Sequence, residues 1–478
     1  MKVDKQKYVD NYHEKGKFKD NWQQGIKLLP FSTQSASSAF DKRCSLQGTI
    51  GAFVRLVDPD GAMPIDNFEQ SVLEPVSAYL KKKRMEDGQI QEFLKVVRDV
   101  FWVNGNLNIA DASFFKFIPL VSEDSRVTDA EKKKYSDGQR KMAEYLRAML
   151  LVPVKFGSNG SQNYFLKVIA DALAERMFDD GRKTPVAKEY VVPSYIAKSF
   201  TEDLHWLLNE SEQVQVKYLH LFLHFYACYS ITQAIFLFSS DKNDGEATSR
   251  PEKLYFILAS EKTSMTHDAV LYGWASKIQQ KKILEKLFGR MQALDIANSI
   301  LGGDKGFYPE VLEELKKTPF EENQEVLKEI LVEYESEKTK LLKERTTEKE
   351  QTVRDFNPDI TSYEEFLRQL EKCCVGLQSV SYVARFKKKV MDVMNVRFLQ
   401  SRKGNHVLVL DNEMLTFLIA LVTKGQKVKL EEMYQRFNDY GIYFNRETRS
   451  AIEEFLLKMN LLDRKSDSGE VQYVRAVL

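Results

Sequence analysis

Apolar residues recur every three or four positions over much of this chain, a spacing typical of amphipathic helices. The segments 66–83, 89–102 and 129–150 follow this spacing. Residues 106–121 contain strand-like stretches, but apolar and polar positions do not alternate cleanly there. The pattern therefore predicts a mainly α-helical protein. Its 478 residues are enough for two to four domains, so we expect a multidomain chain.

The most apolar run of the chain extends from Tyr218 to Phe238. It is long enough to span a membrane, but polar side chains interrupt it at His220, His224, Ser230 and Gln233. We therefore expect a buried helix and no membrane contact. The amino-terminal residues are charged and lack an apolar stretch, so we expect no signal peptide and a cytoplasmic protein.

The clearest pattern lies in residues 405–478. Helical spacing of apolar residues appears in Leu410–Val422, Leu430–Tyr440 and Arg446–Met459, and Asn445 is a good N-cap for the third of these helices. Two strand-like segments follow, 461–465 and 471–478, and a short polar loop joins them. Three helices followed by a small β-hairpin predict a C-terminal winged helix-turn-helix.

Breaks in the pattern suggest four regions. Residues 1–155 form an N-terminal mainly helical domain with an extended lead-in, and 156–305 a central helical domain. Residues 306–404 hold a long charged helix and connecting helices, and 405–478 the winged helix-turn-helix. We expect the charged helix, at 321–354, to be a strut about 50 Å long between two domains.

Smaller local signals refine this outline. Thr361 and Glu364 resemble a capping box for the helix that follows the charged helix. Gly48 and Gly51 predict a packing turn, because no Lys-Ser/Thr pair follows them to complete a phosphate-binding loop.

A formal net charge of +1 does not suggest a protein coated in nucleic acid, so any DNA contact requires a local basic patch. The third C-terminal helix offers Arg446 and Arg449, and the hairpin offers Arg464 and Lys465. Directly upstream, Ala384–His406 carries seven basic residues against one aspartate. The predicted DNA-binding residues are therefore Arg446, Arg449, Arg464, Lys465, Lys387, Lys388, Lys389 and Arg397.

Both groups of residues have a second interpretation. Residues 405–478 contain ten Lys or Arg and eleven Asp or Glu, and the third helix also carries Glu447, Glu453 and Glu454, which phosphate would repel. Winged helices also bind proteins, so DNA contact and protein docking both stay open. The basic stretch upstream could equally be a solvated helix face that balances the acidic helix before it.

Candidate chemistry is sparse. The four cysteines are too few for a disulfide scaffold and fit a reducing compartment. No ATP-binding G-x-x-x-x-G-K-S/T motif occurs. His220, His224 and Cys228 are spaced four apart, but eight residues span about 12 Å of helix, so we expect buried, hydrogen-bonded histidines instead of a metal site. We predict no catalytic residues, no metal and no cofactor, which favours a non-catalytic subunit.

The segments 464–478 (RKSDSGEVQYVRAVL) and 438–463 (NDYGIYFNRETRSAIEEFLLKMNLLD) resemble the end of the DptG (DndG) family. The segment MLTFLIALV fits as well, and near the start so do IKLLPF (26–31) and RCSLQGTIGAFVRL (43–56). This resemblance implies a subunit of prokaryotic phosphorothioation-dependent restriction systems, which attack DNA that lacks a sulfur mark in its backbone. It also implies F- and H-type partner subunits with ATPase and translocase functions, and it transfers no catalytic residues.

Together these observations predict a non-catalytic adaptor subunit of a DptFGH-type anti-phage defence complex, which contacts DNA, the ATPase partner subunits, or both. One alternative is a metal-dependent nuclease subunit without a linear motif. Another is a winged-helix transcription regulator, which would be a dimer on a palindromic site. A third is a pure protein scaffold. The residues themselves do not indicate how modified DNA would be distinguished from unmodified DNA.

Overall fold

The protein is mainly helical. The computed structural model describes residues 3–19, 27–31, 46–57, 68–103, 106–109, 111–121, 128–156, 164–177, 190–240, 250–261, 266–303, 305–344, 353, 355–464 and 472–477. Seventeen α-helices lie within these residues. They are α1 (Lys5–Tyr12), α2 (Gln47–Val57), α3 (Glu74–Lys82), α4 (Asp87–Phe101), α5 (Asp129–Ala148), α6 (Tyr164–Met177), α7 (Ser194–Asn209), α8 (Glu212–Ser239), α9 (His267–Leu271), α10 (Ile283–Leu301), α11 (Tyr308–Leu315), α12 (Phe320–Glu344), α13 (Tyr363–Gly376), α14 (Val380–Asn395), α15 (Asn412–Thr423), α16 (Leu430–Asp439) and α17 (Arg446–Lys458).

The strands are short and belong to four small sheets in the described part of the chain. They are β1 (His13–Glu14), β2 (Lys17–Phe18), β3 (Trp102–Val103), β4 (Asn106–Leu107), β5 (Leu254–Leu258), β6 (Leu399–Arg402), β7 (Asn405–Leu410), β8 (Val428–Lys429), β9 (Ile442–Tyr443), β10 (Leu462–Arg464) and β11 (Gln472–Val474). The described residues also contain two π-helical segments, Glu69–Leu73 and Ala275–Gln280, and a 3₁₀ segment, Ala112–Phe117.

Helix α8 is the central core helix, as its composition predicts. It is long and apolar enough to cross a membrane, but 89% of its most apolar window is buried inside the protein. Ser230 and Thr232 donate to carbonyl oxygens four residues earlier, at 2.6 and 2.7 Å, so their hydroxyls are satisfied within the helix. The Gln233 amide bonds both backbone groups of Glu252. The hydroxyl and amide groups that interrupt this helix are therefore compatible with burial.

A four-stranded sheet joins the middle of the chain to its C-terminal part. Its order is β6-β7-β5-β9, with β5 parallel to both β7 and β9. In this register Ile257 pairs with Val409, and Tyr255 pairs with Tyr443. One large hydrophobic core includes residues from Val3 to Val474 and crosses the boundaries expected at 305 and 404. A second apolar cluster lies between α3, α4, α6 and the 3₁₀ segment.

The three predicted C-terminal helices are present, but the short strands between them were not predicted. Helices α15, α16 and α17 alternate with short strands, and β10, β11 and β8 form a three-stranded antiparallel sheet. Asn445 caps α17, since its side chain accepts a hydrogen bond of 2.8 Å from the Thr448 amide. Thr448, Ile452 and Leu456 lie one helical turn apart and are buried, so α17 presents its other faces outward.

Helix α12 is a packed helix, and the prediction of a strut was wrong. Its inward face buries Leu327, Ile330, Tyr334 and Leu342, and even Lys338 is only 1% exposed. Most of its glutamates and lysines lie on its outer face, which accounts for the charged composition. The buried apolar residues of α12 therefore contact this protein's own helices.

Two local expectations also differ from the structure. Helix α13 is capped by Ser362, which accepts from the Glu365 amide at 3.2 Å, so the predicted capping box was displaced by one residue. Gly48 and Gly51 lie inside helix α2, not in a turn. They allow α2 to touch the backbone of Leu120 and Ile118, which a Cβ at either position would block.

Candidate nucleic-acid interface

Arg446 opens helix α17 and is the most accessible of the predicted DNA-contacting residues on this helix. Asn445 caps the helix, and Arg446 follows it directly in an exposed position. Among the described residues, no carboxylate forms an ion pair with Arg446. Because the first turn of a helix points backbone N–H groups outward, a cation placed there adds to an environment that favours anions.

Arg449 lies one turn further along α17 and is held in place. Its guanidinium carbon lies 4.4 Å from the centroid of the Tyr434 ring, and its Nη1 lies 3.4 Å from a carboxylate oxygen of Glu431. The side chain is 33% exposed. Because the Arg449 guanidinium is already fixed over an aromatic ring, it would lose little conformational freedom on binding a phosphate. However, Glu431 already neutralises part of the positive charge of Arg449.

The remainder of α17 is not basic. Glu447 and Glu454 are exposed near its start and end, and Glu454 forms an ion pair of 2.8 Å with Lys458. At the C-terminal end, Leu457 is 43% exposed and Met459 just beyond the helix 52%. The two ends of the helix therefore differ, with arginines at the first and apolar side chains at the second.

The hairpin contributes fewer free charges than the sequence suggested. Arg464 pairs with Gln472 in the strand register, and its side chain, like all of Lys465, lies outside the described residues. Nearby, Asp463 accepts from Lys427 at 2.5 Å and from Nε of Arg475 at 2.6 Å. These hydrogen bonds lower the pKa of Asp463 to about 2, so its carboxylate stays ionised and pairs with both cations.

The basic stretch upstream divides into exposed and buried residues. Lys388 has a 67% exposed side chain and pairs with Asp392, and Lys387, 44% exposed, pairs with Glu285 at 2.7 Å. Lys389 is only 7% exposed, and burial lowers its pKa to about 8. It lies on the same face of α14 as the buried residue Phe386.

Arg397 is also engaged inside the protein. Its guanidinium forms ion pairs with Asp411, at 2.9 Å, and with Glu413, and its side chain is 17% exposed. These pairs connect the segment after α14 to the start of α15. Neither Lys389 nor Arg397 is free to contact a phosphate, and we remove both from the predicted interface.

A basic cleft that the sequence did not reveal lies between α10, α11 and α13. It has a volume of about 870 Å³, and its floor includes Leu312, Leu367 and Val375. Lys281 and Lys282 stand exposed at its edge, without an ion pair to any described residue. Lys281 and Lys282 lie near the charged residues of α13 only in the folded chain. The cleft could therefore not be predicted from the sequence pattern.

Each of the three glutamates that line this cleft already has a cationic partner. Three such pairs leave the cleft with a surplus of positive charge, because Lys281 and Lys282 also line it and form no ion pair with a described residue. The pairs are Glu285 with Lys387 at 2.7 Å, Glu364 with Lys316 at 2.5 Å, and Glu371 with Arg290 at 3.0 Å.

The histidines of α8 show no metal-binding arrangement. His224 is buried, and burial together with the nearby Arg397 lowers its pKa to about 3. Its Nε2 has no hydrogen-bond partner in the described structure, so the expectation of a hydrogen-bonded side chain is wrong for this nitrogen. The imidazole of His220 does form a hydrogen bond, to the backbone of Lys217. Within the described residues, no group of three or more His, Cys, Asp or Glu side chains could hold a metal ion.

No protein-family model matches this chain, and no curated protein matches it either.

Proposed function

We propose that this protein is a non-catalytic adaptor subunit of a phosphorothioation-dependent restriction complex of the DptFGH type. In this proposal residues 405–478 form a winged helix-turn-helix that contacts DNA, and other surfaces bind F- and H-type partner subunits with ATPase and translocase functions. The resemblance of both ends of the chain to the DptG family motivates the proposal. The exposed arginine at the capped start of α17 is the observation that carries DNA contact.

In the proposed complex, the start of α17 faces the DNA. Arg446 contacts a phosphate or base edge, and Arg449 contacts the backbone while Tyr434 holds its guanidinium in position. Lys388 adds a further phosphate contact from α14. Because each neutralised phosphate releases a counterion, this binding would weaken steeply as salt increases. Arg464 and Lys465 of the hairpin complete the proposed contact.

The test is binding of the purified chain to a fluorescent DNA duplex, measured by anisotropy at several salt concentrations. The Arg446→Ala/Arg449→Ala variant should bind every duplex more weakly and show a shallower salt dependence, by about one unit per lost phosphate contact. Arg140→Ala, an exposed arginine on α5, is the matched control and should bind like the unmodified protein. Unchanged binding by the double variant would contradict the proposal.

The same preparation separates the adaptor from its enzymatic and regulatory rivals. Incubation with Mg²⁺ or Mn²⁺ and unmodified plasmid should leave the plasmid intact, and cleavage would favour a metal-dependent nuclease. A transcription regulator of this kind would be a dimer with a strong preference for one palindromic sequence. Equal affinity for unrelated duplexes and a monomeric mass are expected for the adaptor.

A second candidate role, protein docking by the winged helix itself, is favoured by the other end of α17. Leu457 and Met459 place two exposed apolar side chains at the C-terminal end of this helix. Interface centres favour such residues over charged ones. Co-expression with the genes adjacent in the genome, followed by mass measurement of the purified assembly, identifies the partners. Leu457→Asp/Met459→Asp should break the assembly and leave DNA binding intact, whereas Val96→Asp, at an exposed apolar position on α4, should not break it.

A further inference from the structure

Three tyrosines form a ladder on one surface of the central sheet, beside the start of α17. The rings of Tyr255 and Tyr443 belong to paired residues of the parallel strands β5 and β9, and their centroids are 6.0 Å apart. On the other side of Tyr255, the ring of Tyr272 lies 5.5 Å away. Tyr272 is 51% exposed. The outermost ring therefore has a large surface open to solvent.

The ladder exists because β9 can approach β5 closely. Gly441 precedes β9 with φ of +70°, and a Cβ there would lie 2.5 Å from the Glu252 carbonyl oxygen. The Gly441 carbonyl accepts a hydrogen bond of 2.9 Å from the Leu254 amide. This close approach sets the register that places Tyr443 beside Tyr255 on the same face of the sheet.

Cations stand at the Tyr443 end of the ladder. The Lys253 ammonium lies 5.2 Å from the centroid of the Tyr443 ring, and it forms no ion pair with a described residue. Arg446 follows Tyr443 by three residues and is exposed. The one carboxylate adjacent to Lys253 in sequence, that of Glu252, is held by Lys277 at 2.5 Å. The surface therefore combines neighbouring aromatic rings, tilted by 36° and 46° to one another, with positive charge.

We propose that the tyrosine ladder binds unpaired bases of single-stranded nucleic acid, with Lys253 and Arg446 on its phosphates. Aromatic rings stack on bases of any sequence, and nearby cations follow the backbone; this combination is typical of sites for single strands. An apolar protein partner would gain less from such a surface, because the tyrosine hydroxyls and Lys253 would have to be desolvated. The inference rests on the proposed DNA contact and extends it to unpaired strands.

The test compares a fluorescent 20-nucleotide oligo(dT) with a duplex of equal length, each binding to the full chain. Tyr272→Ala should weaken oligo(dT) binding by about tenfold, a typical loss for one stacked base. Tyr272→Phe retains the ring and should bind oligo(dT) like the unmodified protein. Tyr79→Ala, a half-buried tyrosine on α3 with Lys83 over its ring, is the matched control and should have no effect.

The duplex arm separates this inference from the proposed function. Loss of oligo(dT) binding in Tyr272→Ala with unchanged duplex binding supports the ladder. Absence of oligo(dT) binding by the unmodified protein overturns the ladder and leaves duplex binding through Arg446 and Arg449 as a separate result. Equal oligo(dT) binding by Tyr272→Ala and the unmodified protein also overturns it, because phosphate contacts alone would then account for the affinity.

Discussion

Tyr440 donates a hydrogen bond of 2.6 Å to the carboxylate of Asp203, across 237 positions of the chain. The same carboxylate, only 3% exposed, accepts from Tyr226 at 2.5 Å and forms an ion pair with Lys424. Tyr226 belongs to α8, whereas Lys424 directly follows α15 and Tyr440 directly follows α16. One buried carboxylate on α7 therefore holds two C-terminal helices against the central core.

Asp203→Ala should lower the free energy of unfolding by about 3 kcal/mol or more. It leaves two tyrosine hydroxyls without their acceptor and Lys424 without its counter-charge, and losing one partner of a buried charged network is costly. Urea unfolding, compared at equal m values, measures the loss. Asp137→Ala, at an exposed aspartate paired with Arg140, should cost less than about 1 kcal/mol. A loss as small for Asp203→Ala would show that the network does not hold the C-terminal helices in place.

Gly441→Ala should be markedly more destabilising than Gly425→Ala. Both glycines have positive φ, +70° and +69°, so both substitutions carry the conformational penalty of about 1–2 kcal/mol. Only at Gly441 would the added Cβ also meet another backbone, that of Glu252, whereas Gly425 has nothing within 4 Å. Thermal unfolding of the two variants checks the difference. Equal melting temperatures would mean that β9 can move away from β5 without loss.

His224 should make the protein less stable in acid. Its pKa of about 3 in the folded protein lies below the usual 6.5, because burial, Arg397 and His220 outweigh the opposing effect of Asp411. A depressed pKa contributes stability that is present above pH 6.5 and is lost as the pH falls toward 3. From pH 7 to pH 4 the loss is on the order of 3 kcal/mol.

His224→Phe should remove this part of the acid sensitivity, because phenylalanine cannot be protonated. Urea unfolding at pH 7, 5.5 and 4 measures the slope for each variant. His267→Gln, at a histidine whose side chain is 78% exposed, should keep the slope of the unmodified protein. An unchanged slope in His224→Phe would place the acid sensitivity in other groups.

Lys389→Met should raise the free energy of unfolding at pH 7 by about 1 kcal/mol, since a buried charge is often less stable than an apolar side chain of similar volume. The lowered pKa of about 8 means that the lysine is charged at pH 7 in both folded and unfolded states, at a cost to the folded one. The stability gained by Lys389→Met should shrink as the pH rises from 8 to 10.5. In this range the lysine is neutral in the folded protein, and the cost of removing its proton on folding falls as the pH approaches 10.5.

Lys388→Met is the matched substitution on the exposed face of the same helix. Its side chain is 67% exposed, so stability should change by less than about 0.5 kcal/mol. DNA affinity should respond in the opposite way, with a loss for Lys388→Met and none for Lys389→Met. A stabilised Lys388→Met, or a Lys389→Met that weakens DNA binding, would contradict the assignment of these two faces.

Local patterns in the chain were enough to predict most helices. The spacing of apolar residues located α5, α8, α15 and α17, and Asn445 marked the start of α17, because helix geometry and capping depend on neighbours only a few residues away. The burial of Lys389 could also have been read from the sequence, since it lies three positions from Phe386 and four from Val393, both in the core.

Contacts between distant segments decided the rest. Strand β5 is five residues long and pairs with strands about 150 and 190 positions later. The basic cleft, the Asp203 network and the tyrosine ladder each require side chains from such separate segments. A periodic pattern shows which face of a helix or strand is apolar, but it does not show against which other element that face will pack. The helices are therefore local properties of this chain, whereas its candidate sites arise only when tertiary packing brings distant residues together.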